Sequence, residues 1–572
     1  MLDVLQELEA ERSKILRQFT ALGDLRPGSI CSTWRKADLP LRQAQRPRPR
    51  SPNSTHAESS GENGRRIVSF ARHLAQGAGR NRRVPSFSAM QQRTDHDQPE
   101  DLPAATGRVG PQYLDGGGKK TTAAIHAEVA REVDQLLRVI FNGQRKTGRL
   151  DLEAIEMVVR SAMHQAGAAA LTELLQFSTP AVGQRTLPCP CGQQAHYQEL
   201  RSKPVLTAVG KVEVSRPYYL CPHCHASQFP ADVELDIENT GYSPGVRRMQ
   251  ACVGQDAPFE HGRQQLKLLA DLEVTTQSVE RNAEAIGEHI AAREQVQIQR
   301  AVELDLPVVI GQPIPILYIQ MDGTGVAVVK KETLGRKGKT PGQPAHTREV
   351  KLGCVFTQTA WDQEGFALRD PASTTYTGAI EPAEAFGKRL YLEAWNRGWN
   401  RAAKKVVLGD GAEWIRNLAA QHFPGAIQIV DLYHARQHLW SVARLLYPND
   451  TGQQTAWMKV HQKRLLDKGK IEKLVLALRE LASLYPGRAE KIHTEADYFQ
   501  TNTPRMRYPK FRRQHLFVGS GVMEAGCKTV IGSRLKQSGM FWTVRGANAI
   551  LTLRCSHLNG RFEDYWESRR AA

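Results

Sequence analysis

Stretches with a strong apolar rhythm alternate along the chain with stretches that have none. Leu2, Leu5 and Leu8, then Ile15, Leu16 and Phe19, recur at helical spacing and predict a helical pair over residues 1–34. The rhythm then stops. From Arg35 to Gly118 the sequence is dominated by Pro, Ser, Gln, Gly and Arg, a composition that cannot bury enough apolar surface to fold, so residues 35–118 read as a disordered, basic, low-complexity region. Periodicity returns with Ile125, Val129, Val133, Leu136, Leu137 and Ile140, one stripe of an amphipathic helix, and a second helix follows around Leu152–Leu175, so residues 119–180 are expected to be helical. Strand-like runs fill 185–235. Helical sequence resumes across 240–304, where Gln277-Ser-Val-Glu-Arg-Asn, after Leu272-Glu-Val-Thr-Thr, reads equally well as the start of a recognition helix in a helix-turn-helix unit or as part of an ordinary helical pair. A β-rich core begins at Pro315 and occupies 310–440; helices dominate 441–515, and 516–572 completes the core. Strands followed by helices in this order predict an α/β fold with a mixed sheet.

At 572 residues the chain is too long for one core, which implies several domains. It holds 77 lysines and arginines against 59 acids, a net charge of +18, and phosphate backbones are the commonest partner for such a field. No run of about 18 apolar residues occurs and Met1–Arg12 lacks a signal-peptide core, so the expectation is a protein without membrane spans that stays in the cytoplasm. Arginine recurs through 35–118 (Arg42, Arg46, Arg48, Arg50, Arg65, Arg66, Arg82, Arg83), yet Lys36 is the only lysine there. A basic DNA-binding arm has this character. Translation in an unintended reading frame has it too, and explains the sudden break slightly better.

Nine cysteines in so long a chain are not a disulfide framework, and four of them cluster. Cys189-Pro-Cys191-Gly and Cys221-Pro-His-Cys224-His flank the runs Val205-Leu-Thr-Ala-Val and Val212-Glu-Val around a turn at Gly210-Lys211. Two tight knuckles at one end of a β-hairpin are the layout of a zinc ribbon, and four protein ligands leave no open position, so Zn²⁺ here is structural. The first knuckle has one residue between its cysteines rather than two, and His196, His223 or His225 stands ready to replace a thiolate.

Three acidic residues sit in unusual settings. Ile316-Leu-Tyr-Ile-Gln-Met-Asp322-Gly and Lys405-Val-Val-Leu-Gly-Asp410-Gly each place an aspartate at the end of an apolar strand beside glycine. Carboxylates on neighbouring strand ends repel unless a cation lies between them, and oxygen-only ligation suits Mg²⁺ or Mn²⁺. A third is expected, and Glu524 in Gly519-Ser-Gly-Val-Met-Glu524 falls in the first turns of a helix with Ser520 as N-cap. Alone, each aspartate reads as a turn former or cap; together they read as a metal triad. Ile427-Gln-Ile-Val-Asp431-Leu-Tyr-His434 ends another buried strand in polar groups.

Asp322-Gly-Thr-Gly, Gly409-Asp410-Gly-Ala-Glu-Trp, Asp431-Leu-Tyr-His434-Ala and Gly519-Ser-Gly-Val-Met-Glu524, together with the cysteine knuckles, resemble bacterial insertion-sequence transposases of the ISKra group, relatives of the Mutator-like elements, from about Lys119 to the carboxyl terminus. The resemblance implies a ribonuclease-H-like core with an all-helical insertion before the final glutamate, and Asp322, Asp410 and Glu524 as catalytic ligands of Mg²⁺ or Mn²⁺. His434 falls where related transposases have a histidine; Asp431 stands where a cysteine is common, and reads equally well as an accessory group or a strand-end cap. Residues 1–34 resemble the start of a small separate protein encoded beside such transposases, consistent with a fusion or frame artefact. The implied reaction is DNA cleavage at terminal inverted repeats followed by strand transfer, by a homo-oligomer that handles both ends in the bacterial nucleoid. Lys528, Arg534, Lys536, Trp542 and Arg545 are candidate DNA contacts, the cations for phosphates and the tryptophan for a flipped base; a solvated basic helix with a core tryptophan fits the same residues. Two rival functions share these features, a structure-specific nuclease on the same fold and an inactive, DNA-binding relic or repressor.

Overall fold

The computed structural model of the protein describes residues 131, 152–338 and 342–570. The helical pair expected at 1–34, the segment 35–118 and the stripe Ile125–Ile140 lie outside the described residues. The second helix of that region forms as α1 (Leu152–Leu174), and buries Ala162 and Ala166.

An antiparallel four-stranded sheet follows in chain order: β1 (Thr186–Pro188), β2 (Gln194–Thr207), β3 (Gly210–Leu220) and β4 (Ser227–Gln228). On β3 the residues Val212, Val214, Arg216 and Tyr218 are buried and alternate with more exposed ones, the period of a half-buried strand. The hairpin reverses at Ala208–Val209, two residues earlier than the sequence suggests. The Thr207 hydroxyl closes the turn by donating to the Gly210 carbonyl at 2.8 Å. Arg216, buried on this strand, pairs with Asp232 at 2.8 Å, which also takes Lys203 at 3.0 Å.

Three helices come next, α2 (Pro244–Asp256), α3 (Phe259–Ala270) and α4 (Thr276–Val302). Thr275 and Ser278 form a reciprocal capping box that fixes where α4 begins. Ser278, Val279 and Ala283 are buried, leaving Gln277, Glu280 and Arg281 outward on its first turns.

The larger sheet has the order β11-β10-β5-β6-β9. Its strands are β5 (Ile314–Ala327), β6 (Thr347–Gln358), β9 (Thr375–Ala379), β10 (Ala402–Gly409) and β11 (Ile427–Val430); β7 (Ala360–Trp361) and β8 (Ala367–Leu368) form a separate small hairpin. β5, β9, β10 and β11 run in one direction and β6 alone runs the other way between β5 and β9, so the sheet is mixed. Both faces are covered, which is why β5 reads as an unbroken apolar run rather than an alternating one. Leu317, Ile319 and Met321 pack with Phe386, Leu390 and Leu418 from α5 (Ala383–Asn396) and α6 (Glu413–His422), and with Phe423 at the end of α6. Tyr318, Leu352, Cys354, Phe356, Val406 and Leu408 face the opposite way, into the larger core.

That second core is made by α4 and by everything after β11. Helices α7 (Leu432–Leu446), α8 (Thr451–His461), α9 (Ile471–Leu484) and α10 (Ala489–Asn502) succeed one another, and among the described residues no strand interrupts 431–520. The all-helical stretch therefore starts nine residues before 441, directly at the end of β11. The chain then returns through α11 (Gly521–Gly526), a π-helical turn Cys527–Gly532, α12 (Val544–Leu558) and α13 (Phe562–Arg570). α12 lies so close to α4 that a side chain at Gly287 would come 2.1 Å from the Ala549 carbonyl oxygen, and only glycine allows that approach.

Candidate active site

Register places the first two carboxylates. Leu408 of β10 pairs with Gln320 of β5 in parallel alignment, and both face the larger core. Side chains alternate along a strand, so Asp410 and Asp322, each two residues further on, emerge side by side on that same face. Both are half-buried. Asp322 Oδ1 accepts the Gly323 amide at 2.7 Å, and Asp410 Oδ1 accepts the Ala412 amide at 2.8 Å. Each carboxylate is thereby oriented through one oxygen. Burial pushes the Asp322 carboxyl above its ordinary value; the Gly323 amide opposes this, and the Asp410 charge adds to the push.

The turn after Asp410 is held from the helical stretch. Gly411 has φ +91°, a left-handed conformation, and a side chain there would meet the Tyr498 ring at 3.0 Å. Tyr498, from α10, donates its hydroxyl to the Asp410 carbonyl at 2.9 Å. Burial raises the Tyr498 pKa and the Asp410 and Asp431 charges raise it further, so the phenol stays a neutral donor. His438 stacks on the same ring at 3.7 Å and binds Glu495 at 2.7 Å.

Glu524 lies on α11, the short helix that packs against β5 and β6. Gln320, fully buried on β5, accepts the Met523 amide at 3.0 Å, tying the residue beside Glu524 to the strand that bears Asp322. Ser520 occupies the N-cap position, but its hydroxyl caps nothing. Its backbone amide instead donates to Asp431 Oδ2. Asp431 Oδ1 accepts the His434 amide at 2.6 Å as the N-cap of α7. At 1% exposure, Asp431 is a buried cap that straps the start of α7 to the segment leading into Glu524, with no open side toward a ligand. His434 is half-buried, and an imidazolium there would favour the ionised form of Asp322. The π-helical turn after α11 brings Cys527 Sγ to 3.6 Å from Asp322 Oδ2; burial and the Asp322 charge push this thiol up to about 12, so it remains a donor.

Glu524 is exposed, and the three carboxylates do not draw together as tightly as the cysteines do. Among the described residues, the one group of potential ligands whose atoms all lie within 4.8 Å of one another is Cys189, Cys191, Cys221 and Cys224. Sulfurs of Cys189 and Cys224 are 3.5 Å apart, and those of Cys191 and Cys221 3.7 Å. A tetrahedron with metal–sulfur bonds of about 2.3 Å has edges of about 3.8 Å, so the donor set fits Zn²⁺. The Cys224 and His223 amides aim at Cys221 and hold its thiol at about 6, whereas contact with the Cys191 and Cys189 sulfurs pushes Cys224 up to about 12, so the four thiols do not ionise alike. His196, His223 and His225 are exposed and outside the cage, so no histidine replaces a thiolate.

The expected DNA contacts divide. Lys528 and Lys536 are exposed, with Lys536 hydrogen-bonded to Thr324. Arg545 is exposed but pairs with Glu288, one arm at 2.8 Å. Arg534 and Trp542 instead belong to the core. Arg534 is completely buried, donates to the Gly254 carbonyl at 2.9 Å and lies over the Phe259 and Trp542 rings at 4.6 and 4.9 Å. The Trp542 indole N–H is taken by the Leu535 carbonyl at 3.2 Å, and its ring meets Phe259 edge-on. Neither is free to touch DNA as placed. The roles of Gln320, Tyr498 and Cys527 were missed in the sequence; only Gln320, a lone amide inside an apolar strand, carries a visible signal.

No family model and no curated protein matches the sequence. Among solved structures, the chain is similar to the Drosophila P element transposase strand transfer complex at 10% identity, covering 59% of this chain and 83% of that one with a TM-score of 0.20. A likeness that slight bears no weight on fold or function. No helix among the described residues is long and apolar enough to cross a membrane.

Proposed function

We propose that the chain is a DDE-type DNA transposase, with a ribonuclease-H-like core that binds terminal inverted repeats, cleaves DNA and transfers the strand. The observation that carries this is the alignment of Asp322 and Asp410 on one face of adjacent parallel strands; Glu524, on a helix whose start is tied to β5 through Gln320 and to α7 through Asp431, is the third ligand of this reading. Two hard-oxygen carboxylates, one of them pushed toward its neutral form by burial and by the other's charge, are a donor set that a divalent cation relieves. When bound, Mg²⁺ or Mn²⁺ supplies activation of the attacking oxygen and stabilisation of the leaving one. Asp322, Asp410 and Glu524 are the residues that would hold it.

The protein's part is positioning. The Gly323 and Ala412 amides each hold one carboxylate oxygen, the Tyr498 hydroxyl fixes the Asp410 turn, and the Cys527 thiol leans on the second oxygen of Asp322. The domain plan follows the same reading: a zinc ribbon at 185–235, a helical unit at 240–304 with Gln277 and Arg281 outward, a catalytic core at 310–440 and 516–572, and a helical insertion between its halves. Lys528 and Lys536 lie beside the site to meet phosphates, and His434 bears on Asp322 as an accessory group. Two copies acting on paired ends complete the reading.

The test is incubation of the full chain with labelled duplex from the DNA flanking its own coding sequence, with Mg²⁺, Mn²⁺ or EDTA. Metal-dependent breaks leaving 3′-hydroxyls, absent in Asp322→Ala, Asp410→Ala and Glu524→Ala, are expected. Cleavage that persists in those variants, or DNA binding with no cleavage in any metal, overturns the assignment.

A further inference from the structure

β5 and β6 do not end at the candidate site. Their pairing continues without a bulge from Asp322–Leu352 to Ala327–Thr347, so a hairpin overhangs the carboxylates. At about 3.3 Å per residue its root lies about 16 Å beyond Asp322, roughly five base pairs along a duplex at 3.4 Å per step. Beyond the root the chain is basic: Lys330, Lys331, Arg336 and Lys337 are all exposed. The nearest acid in sequence, Glu332, is engaged by the Val544 amide at 3.3 Å.

Two features together characterise this cluster. It is built: a 3-10 turn at Lys330–Thr333, a bond from the Ala345 amide to the Arg336 carbonyl at 3.1 Å, and the pairing of Val329 and Ala327 with Trp542 at 2.9 and 3.1 Å hold its backbone. It is also uncompensated. None of these four cations is in an ion pair among the described residues; exposed lysines such as Lys459 and Lys473 share that state, but here the four are gathered within one short built segment. Fixed, unpaired cations on one overhang are what a polyanion of regular charge spacing selects.

We propose that the Lys330–Lys337 overhang is a sequence-independent clamp for duplex DNA backbone, gripping it about five base pairs or more from the phosphate presented to Asp322 and Asp410. This rests on the transposase reading and names where that enzyme holds DNA. Each cation that neutralises a phosphate steepens the dependence of log affinity on log salt by about 0.9, so four contribute about 3.6.

The experiment measures binding of the full chain to a random-sequence duplex between 50 and 300 mM KCl. It compares wild type, the quadruple variant Lys330→Gln/Lys331→Gln/Arg336→Gln/Lys337→Gln, and a charge-matched control, Lys459→Gln/Lys463→Gln/Lys473→Gln/Lys491→Gln, on exposed positions of the helical stretch. The clamp predicts a salt slope shallower by about 3.6 in the first variant and unchanged in the control, with equal thermal midpoints. Equal slopes in all three proteins, or equal losses in both variants, overturn the clamp while leaving the transposase reading intact. Failure of the wild type to bind DNA at 50 mM KCl overturns both.

Discussion

Asp431 and Asp322 both follow apolar strand runs in the sequence, and the structure gives them opposite work. Replacing each by asparagine separates the two. Asp431 lies in the interior and accepts two backbone amides, from His434 and Ser520. Asparagine is itself a good helix cap, so Asp431→Asn keeps the His434 bond. Its other terminus is an NH₂ group, which cannot accept from Ser520. The loss is one hydrogen bond to a charged acceptor, about 1.5–3 kcal/mol, plus about 1–3 kcal/mol for an amide left buried and unmet, so a destabilisation of about 3–5 kcal/mol is expected. Asp322 is the reverse case. Burial and the Asp410 charge oppose its ionisation, and an asparagine there still accepts the Gly323 amide and gives up only the weak thiol bond from Cys527, so Asp322→Asn costs at most about 1 kcal/mol in metal-free protein. Urea unfolding followed by tryptophan fluorescence in EDTA reads both. On the proposed function, Asp322→Asn abolishes cleavage outright, whereas folded Asp431→Asn retains a reduced activity because Glu524 is less well placed. Wild-type stability in Asp431→Asn, or a comparable loss in Asp322→Asn, would refute the assignment of cap and ligand.

Other outcomes follow from the same geometry. Purified protein is expected to carry one zinc per chain by elemental analysis; Cys221→Ser loses it and speeds hydrogen exchange in β1–β4 while β5 and β10 stay protected. Arg534→Ala is expected to cost about 3 kcal/mol or more through lost packing against Phe259 and Trp542, and Arg534→Lys does not restore it, which thermal melts with DNA absent can read. Glu294, raised to about 6 by burial despite its ion pair with Arg389, favours the folded state most when protonated. Its contribution is present below about 4.3 and fades as pH climbs through about 6, so Glu294→Gln should flatten the fall in melting temperature between pH 5 and 7.

The sequence makes the two-sided sheet legible because burial on both faces leaves continuous apolar runs, as in β5 and β10, each ending in Asp-Gly. The cysteine spacing was legible for the same kind of reason: four soft ligands in two knuckles have few other uses. What composition hides is which polar groups point inward. Arg534 and Trp542 look like surface readers of DNA because arginine is usually solvated, yet they fill the gap between α3 and the segment after α11. Asp431 and Ser520 are far apart in the chain, so their bond is invisible until β11 and α11 are brought together. The basic overhang at Lys330 went unnoticed because its charges gain meaning only once the hairpin is seen to extend past Asp322.

Strand transfer itself is the most direct measurement of the central claim. Full-length protein, a pre-cleaved 3′-hydroxyl end from the flanking DNA and a supercoiled target plasmid are combined with Mg²⁺ or Mn²⁺, and joined products are sequenced. The account predicts covalent end-to-plasmid junctions that require the metal and vanish in each of Asp322→Ala, Asp410→Ala and Glu524→Ala. Cleavage of the DNA without any joining would contradict it and assign the site to a nuclease.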